Sequence, residues 1–104
     1  MSFRRYEILL PTRYNDGGKV ELEKYLLTNN DLARQFGAVS FFPETFRGVW
    51  IHEGKRYEDE NVRLFVDVED TPANAAFFRE FKTRLKERFR QLDIWVVSYE
   101  IRID

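Results

Sequence analysis

His52 is the only histidine in the chain, and the side chains around it are those from which acid–base and metal sites are built. The stretch FRGVWIHEGKRYEDE, residues 46–60, sets Trp50 two residues before it, Glu53 just after it, and Glu58, Asp59 and Glu60 beyond a Gly54-Lys55 turn. A histidine metal centre needs further imidazoles or carboxylates at ligand spacing, and no second histidine exists. Three consecutive strand residues point alternately to opposite faces, so Glu58, Asp59 and Glu60 cannot all converge on one ion. The stretch therefore reads as the solvated tip of a β-hairpin, with no metal site, no cofactor and no assembled catalytic set. His52 and Tyr99 are the residues a catalytic reading would draw on.

Two other constellations carry charge. The glycine-rich NDGGK, residues 15–19, precedes a helix, whose free N–H groups attract anions. It lacks the spacing of either nucleotide-binding glycine motif, which leaves a β–α turn. Further on, Arg79, Lys82, Lys86 and Arg90 recur at helical spacing as a basic face, with Arg84 and Arg88 beside it. Such a stripe is either a solvated helix face or a docking surface for an acidic protein partner.

The bulk composition narrows the field. Lysine and arginine number 17 against 18 acids, for a net charge of −1; a dedicated nucleic-acid binder would show a basic excess, so that partner is not expected. With no cysteine, thiolate metal sites, disulfides and a cysteine nucleophile are excluded, which fits a cytoplasmic protein. The apolar run near the N-terminus is too short for a signal-peptide core or a membrane span. A length of 104 residues is that of one domain, residues 1–104.

The elements that must position these residues follow from periodicity. Residues 4–12 alternate with Tyr6, Ile8 and Leu10 on one side, a strand closed by Pro11. From Val20 to Phe36 the period lengthens through Leu22, Tyr25, Leu26, Leu32 and Ala33 into a helix. Gly37 ends it, and Thr28-Asn29-Asn30-Asp31 could break it. Two strands then flank the turn at 53–56. The clearest helix starts at Pro72 and carries Phe78, Phe81, Leu85 and Phe89 as its apolar stripe. The last strand sets Trp95, Val97, Tyr99, Ile101 and Ile103 on one face. Strand, helix, strand, strand, helix, strand is the ferredoxin-like α+β sandwich: a four-stranded antiparallel sheet in the order 4-1-3-2, with two helices on one face. Pro43 suits an edge strand, where the second strand falls.

In the hairpin, a register that opposes residues of like parity places Phe42, Phe46 and Trp50 on the core face beside Val62, Leu64, Val66 and Val68. The other register would bury Arg47, at a cost; a bulge at Gly48 would change the facing of Trp50 and His52. On the favoured register the helix-free face gathers Leu9, Val49, Ile51, Phe65, Ile94 and Val96. An apolar patch of that size calls for a partner, and a second copy of the chain, giving a homodimer, would cover it. The two central strands offer that face only one aromatic, Phe65, which disfavours the RNA-recognition variant of this topology.

Gly48-x-Trp50, Gly54 at the turn, Glu58 or Glu60 and the alternating strand VRLFVDVED resemble a family of small bacterial proteins of unknown function. The resemblance implies a ferredoxin-like or dimeric α+β-barrel fold and transfers no catalytic residue. The α+β-barrel group includes cofactor-independent monooxygenases and haem degraders; a haem-ligating histidine on a helix is missing here. Three functions are thus expected in turn: a self-associating binding or regulatory module using the open sheet face; a small cofactor-independent enzyme with Tyr6, Tyr99, Trp50 and His52 around a pocket between sheet and helices; and an adaptor for an acidic partner through the second helix.

Overall fold

The computed structural model describes all residues 1–104. Strand β1 (Phe3–Pro11) leads to helix α1 (Leu22–Phe36), strands β2 (Ser40–His52) and β3 (Lys55–Glu69), helix α2 (Pro72–Arg88) and strand β4 (Val96–Ile101). The sheet order is β2-β3-β1-β4, with every pairing antiparallel. This is the ferredoxin-like arrangement the element order predicts. No helix is long and apolar enough to cross a membrane.

One side of the sheet carries the core. Ile8, Leu10 and Leu64 are fully buried against Phe81, Leu85 and Phe89 of the α2 side, and against Leu32 of α1. Burying each such side chain contributes roughly 1.5–3 kcal/mol. Aromatic rings fill the layer between sheet and helices: Tyr6 stacks on Phe78 with centroids 3.9 Å apart, and Phe78 stacks on Phe36 at 5.4 Å.

Helix α1 does not break at 28–31. Thr28 is wholly buried, and its hydroxyl donates to the Lys24 carbonyl while accepting from Arg88 Nη1, both at 2.8 Å. Arg88 Nη2 also reaches Asp31 at 2.8 Å. The polar stretch is therefore an interhelical lock, with hydrogen bonds supplied from α2. In exchange, the apolar positions expected to face inward are turned out: Leu22 and Leu26 are more than half exposed. Gly37 ends the helix as expected, at φ 81° with its N–H on the Ala33 carbonyl. Thr71 caps α2, its side chain accepting from the Asn74 N–H at 3.1 Å.

The hairpin pairs residues of unlike parity, contrary to the expected register. Phe41 opposes Leu64 and Phe42 opposes Arg63; beyond an irregularity, Phe46 opposes Asn61 and Trp50 opposes Tyr57. The irregularity lies at Pro43-Glu44-Thr45 and not at Gly48. Two extra residues enter β2 there, and an even insertion leaves the facing unchanged. This register does not bury Arg47, which lies in solvent opposite Glu60, where the hairpin has outrun the helices.

Candidate functional site

Residues 46–60 form a two-stranded arm that continues past Pro11, where β1 ends. It helps stretch the molecule to 44 Å along its longest axis. The arm turns on Glu53 and Gly54, both at positive φ (51° and 75°), as a two-residue hairpin turn requires. His52 sits at this tip with 64% of its side chain exposed; Glu53 is the one carboxylate near it, at 3.8 Å, and the Trp50 ring is tilted against it with centroids 6.3 Å apart. No group of three His, Asp or Glu side chains comes together in metal-ligating geometry.

Beside the arm's base, the loop 12–19 folds back as a small hairpin of its own. Arg13 bridges Lys19, Tyr14 N–H donates to the Gly18 carbonyl at 2.8 Å, and Gly18 N–H donates to Asp16 Oδ1 at 2.9 Å. The glycine-rich turn thus uses these amides internally. The first cap of α1 falls later, at Glu21, and nothing in the loop cradles a phosphate. Tyr14 anchors the loop: its hydroxyl donates to the Glu21 carboxylate, which holds that carboxyl below its usual range. The Arg90 guanidinium lies 4.4 Å from its ring centroid and the Lys24 ammonium 4.7 Å. Tyr25 pins the end of β1 to α1 through a 2.6 Å hydrogen bond to the Pro11 carbonyl, and burial pushes its phenol up to about 12.

Between arm, loop and the segment entering β4 lies an open groove of about 1000 Å³. Both tryptophans of the chain line it, Trp50 from the arm and Trp95 from the β4 side; they are 46% and 62% exposed. Trp50 stacks on Tyr57 at 4.3 Å and donates its indole N–H to Asp59 at 2.6 Å. Glu58, Glu60 and Asp93 add carboxylates, and Arg13 is the only cationic side chain in the lining. Asp93 is held below its usual range by the Lys82 ammonium at 3.1 Å.

The open-face residues named from sequence parity separate in space. Leu9 and Phe65 do stand on the helix-free face, since Glu7 pairs with Phe65 and the core-facing Ile8 with Leu64. Ile94 and Val96 do not: Ile94 is 2% exposed within the core, and Val96 pairs with Ile8 and packs against it. Trp95, Val97, Tyr99 and Ile101 take the open face instead. Along β4 the apolar residues occupy both parities, so alternation alone could not choose. Val49 and Ile51 lie on the helix side of the hairpin, opposite Glu58 and Arg56, but out on the arm where no helix covers them.

Polar groups roof the centre of the open face. The Arg5 guanidinium lies 3.9 Å over the Phe65 ring and is gripped by Asp67 at 2.7 Å. Arg63 lies 4.4 Å over Phe42, and Tyr99 donates to Glu7 at 2.8 Å, which raises the phenol's pKa. The enzyme reading loses its site: Tyr6 is buried against Phe78, Tyr99 is on the opposite face, Trp50 is on the arm and His52 at its tip. The basic face of α2 is divided as well. Lys82 is paired with Asp93, Arg84 covers Phe81 and Arg90 covers Tyr14, which leaves Arg79 and Lys86 as its unengaged members. Sequence reasoning missed the groove, whose lining comes from three separated segments.

A scan against protein families gives no match, and no curated protein matches. Solved structures share the fold. The divalent cation tolerance protein CutA1 of Thermus thermophilus superposes with a TM-score of 0.67 at 16% identity, covering 98% of this chain and 86% of that one. The periplasmic divalent cation tolerance protein CutA of Archaeoglobus fulgidus gives 0.65 at 14%, covering 98% and 86%. A phage SAM lyase in complex with S-methyl-5'-thioadenosine gives 0.65 at 16%, covering 98% and 90%. At these identities the likeness shows the fold, a small ferredoxin-like domain, and one fold hosts different activities.

Proposed function

We propose that the protein is a small self-associating binding module in which a second copy covers the arm. One observation carries this reading: the arm is bare on both faces. Val49 and Ile51 are 52% and 71% exposed on one side and Trp50 46% on the other. A ribbon apolar on both sides lies beyond the reach of its own helices, and isolated two-stranded hairpins are marginal in water. A neighbouring copy supplies the missing layer, and a net charge of −1 sets up little repulsion between copies. The open sheet face contributes at its margins, through Trp95 and Val97, more than at its roofed centre. The cation role named for the CutA proteins gains no support from the donor geometry, because the arm's carboxylates diverge. The cytoplasm remains the compartment proposed for the module, on its lack of cysteine.

Light scattering tests the reading. Wild-type protein is expected to be oligomeric and Ile51→Glu monomeric, while Phe65→Glu, beneath the Arg5 guanidinium, loses little. Dissociation by Phe65→Glu alone would move the interface to the sheet centre. A monomeric wild type would overturn self-association.

A further inference from the structure

We infer that the notch between α2 and the outer edge of β4 is a binding site for a small organic acid, an apolar ring carrying one carboxylate. The inference is separate from self-association. The sheet order β2-β3-β1-β4 puts this notch at the edge farthest from β2, on the helix side of the sheet, and none of its lining belongs to residues 46–60. Val97 borders it through the backbone, since the side chain of that residue turns to the open face.

The side chains that line the notch converge on it. Ala75, Phe78, Arg79 and Lys82 recur at helical spacing and share one stripe of α2. Across from them stand Tyr6 of β1 and its ladder partner Ser98, with Val96 two residues away on the same side of β4. The notch holds about 250 Å³. An apolar cavity of roughly 150 Å³ is enough for benzene, so one ring with a small head group fits. Phe78, Val96 and the Tyr6 ring, stacked on Phe78 at 3.9 Å, supply apolar walls. The polar groups around them can all donate. Tyr6 is 7% exposed, and its hydroxyl forms no hydrogen bond within the chain; a buried tyrosine hydroxyl ordinarily finds a partner. Ser98 Oγ accepts from Arg4 Nη1 at 3.1 Å, which leaves its own proton to give. The Leu9 N–H bonds the Trp95 carbonyl, so the alternate residues Val96 and Ser98 turn their N–H groups to the unpaired edge. The charge has one sign, because no carboxylate lines the notch. Asp93 shares Lys82 at 3.1 Å and Asp70 holds Arg4 at 3.1 Å. Glu100, next on this side of β4, stands opposite Arg4 and outside the lining. Arg79 forms no ion pair, and a guanidinium takes a carboxylate through two parallel bonds. The apolar walls select a ring and the donors select its charge.

Benzoate, benzamide and inorganic phosphate separate the ring from the charge. The readout is the methyl signals of Ala75 and Val96 in two-dimensional NMR of ¹³C-labelled protein, since both residues border the notch. Saturable shifts of both are expected with benzoate, with affinity about tenfold above that of benzamide, and none with phosphate. Arg79→Gln, at an exposed position, should weaken benzoate about tenfold without moving the benzamide affinity. Tyr6→Phe should weaken benzoate about threefold without lowering the urea midpoint, because the hydroxyl has no partner in the protein to lose. The Ile51→Glu protein should bind as the wild type does, since one chain forms the notch whether or not copies associate. Unshifted methyls, equal affinities for benzoate and benzamide, or phosphate acting as benzoate does would each overturn the assignment. So would full benzoate affinity in Arg79→Gln or loss of binding in Ile51→Glu.

Discussion

The two ends of the β2–β3 hairpin are made of similar residues and live in different solvents. Near the helices, Val62, Leu64, Val66 and Val68 are at most 6% exposed, because α1 and α2 lie across them. On the arm, Val49 and Ile51 share the same side of the sheet and are more than half exposed. Apolar character thus does not by itself decide burial; a covering layer does. Where the cover is part of the chain, an apolar residue stabilises the fold. Where the cover is missing, it becomes a surface for something else.

Substitutions can break this contrast, and the largest effect belongs to the core end. Leu64→Ala should cost about 2–5 kcal/mol. Ile51→Ala should stay within about 0.5 kcal/mol of wild type when the arm is uncovered. Urea unfolding of dilute protein compares the two. A loss of more than about 2 kcal/mol at Ile51, in a monomer, would show that the arm is part of the core.

The interhelical lock comes next. Arg88→Ala removes the donor to the buried Thr28 hydroxyl oxygen and leaves the half-buried Asp31 carboxylate without its partner, and should cost about 1–3 kcal/mol. A double-mutant cycle with Asp31→Asn should show coupling; strictly additive losses would mean the pair is no lock.

The turn at the arm's tip is more local. Gly54 sits at φ 75° with open space where a Cβ would go. Gly54→Ala therefore costs backbone strain alone, about 1 kcal/mol. It should speed amide exchange in 46–60 and leave the core amides unchanged. Equal acceleration in both regions would show that arm and core open as one unit.

The smallest effect concerns pH. Lys82 lowers the folded-state pKa of Asp93, so the contribution is present above the unfolded carboxylate value and is lost as pH falls through the lowered one. The pair is exposed on the Asp93 side, which limits it to under about 1 kcal/mol, screened by salt. Asp93→Asn should reduce stability slightly at neutral pH and not at all in acid below the lowered value. Unchanged stability at neutral pH in low salt would remove the pair from the account.

By itself the sequence determined the order of the elements, the sheet order and the stripe of α2. Each follows from local periodicity and turn chemistry that residues such as Pro72, Gly37 and Phe81 carry wherever the chain goes. Only the tertiary structure decided the facing of the hairpin and of β4. Parity names two alternatives, and the choice rests on where α1 and α2 end, which no residue in 46–60 encodes. The same holds for 28–31, which is polar in sequence and buried in the fold because Arg88, sixty residues from Thr28, arrives to satisfy it. The groove belongs with these. Trp50, Trp95 and the 12–19 loop are ordinary in isolation, and they share one opening because the arm extends past Pro11 while β1 stops.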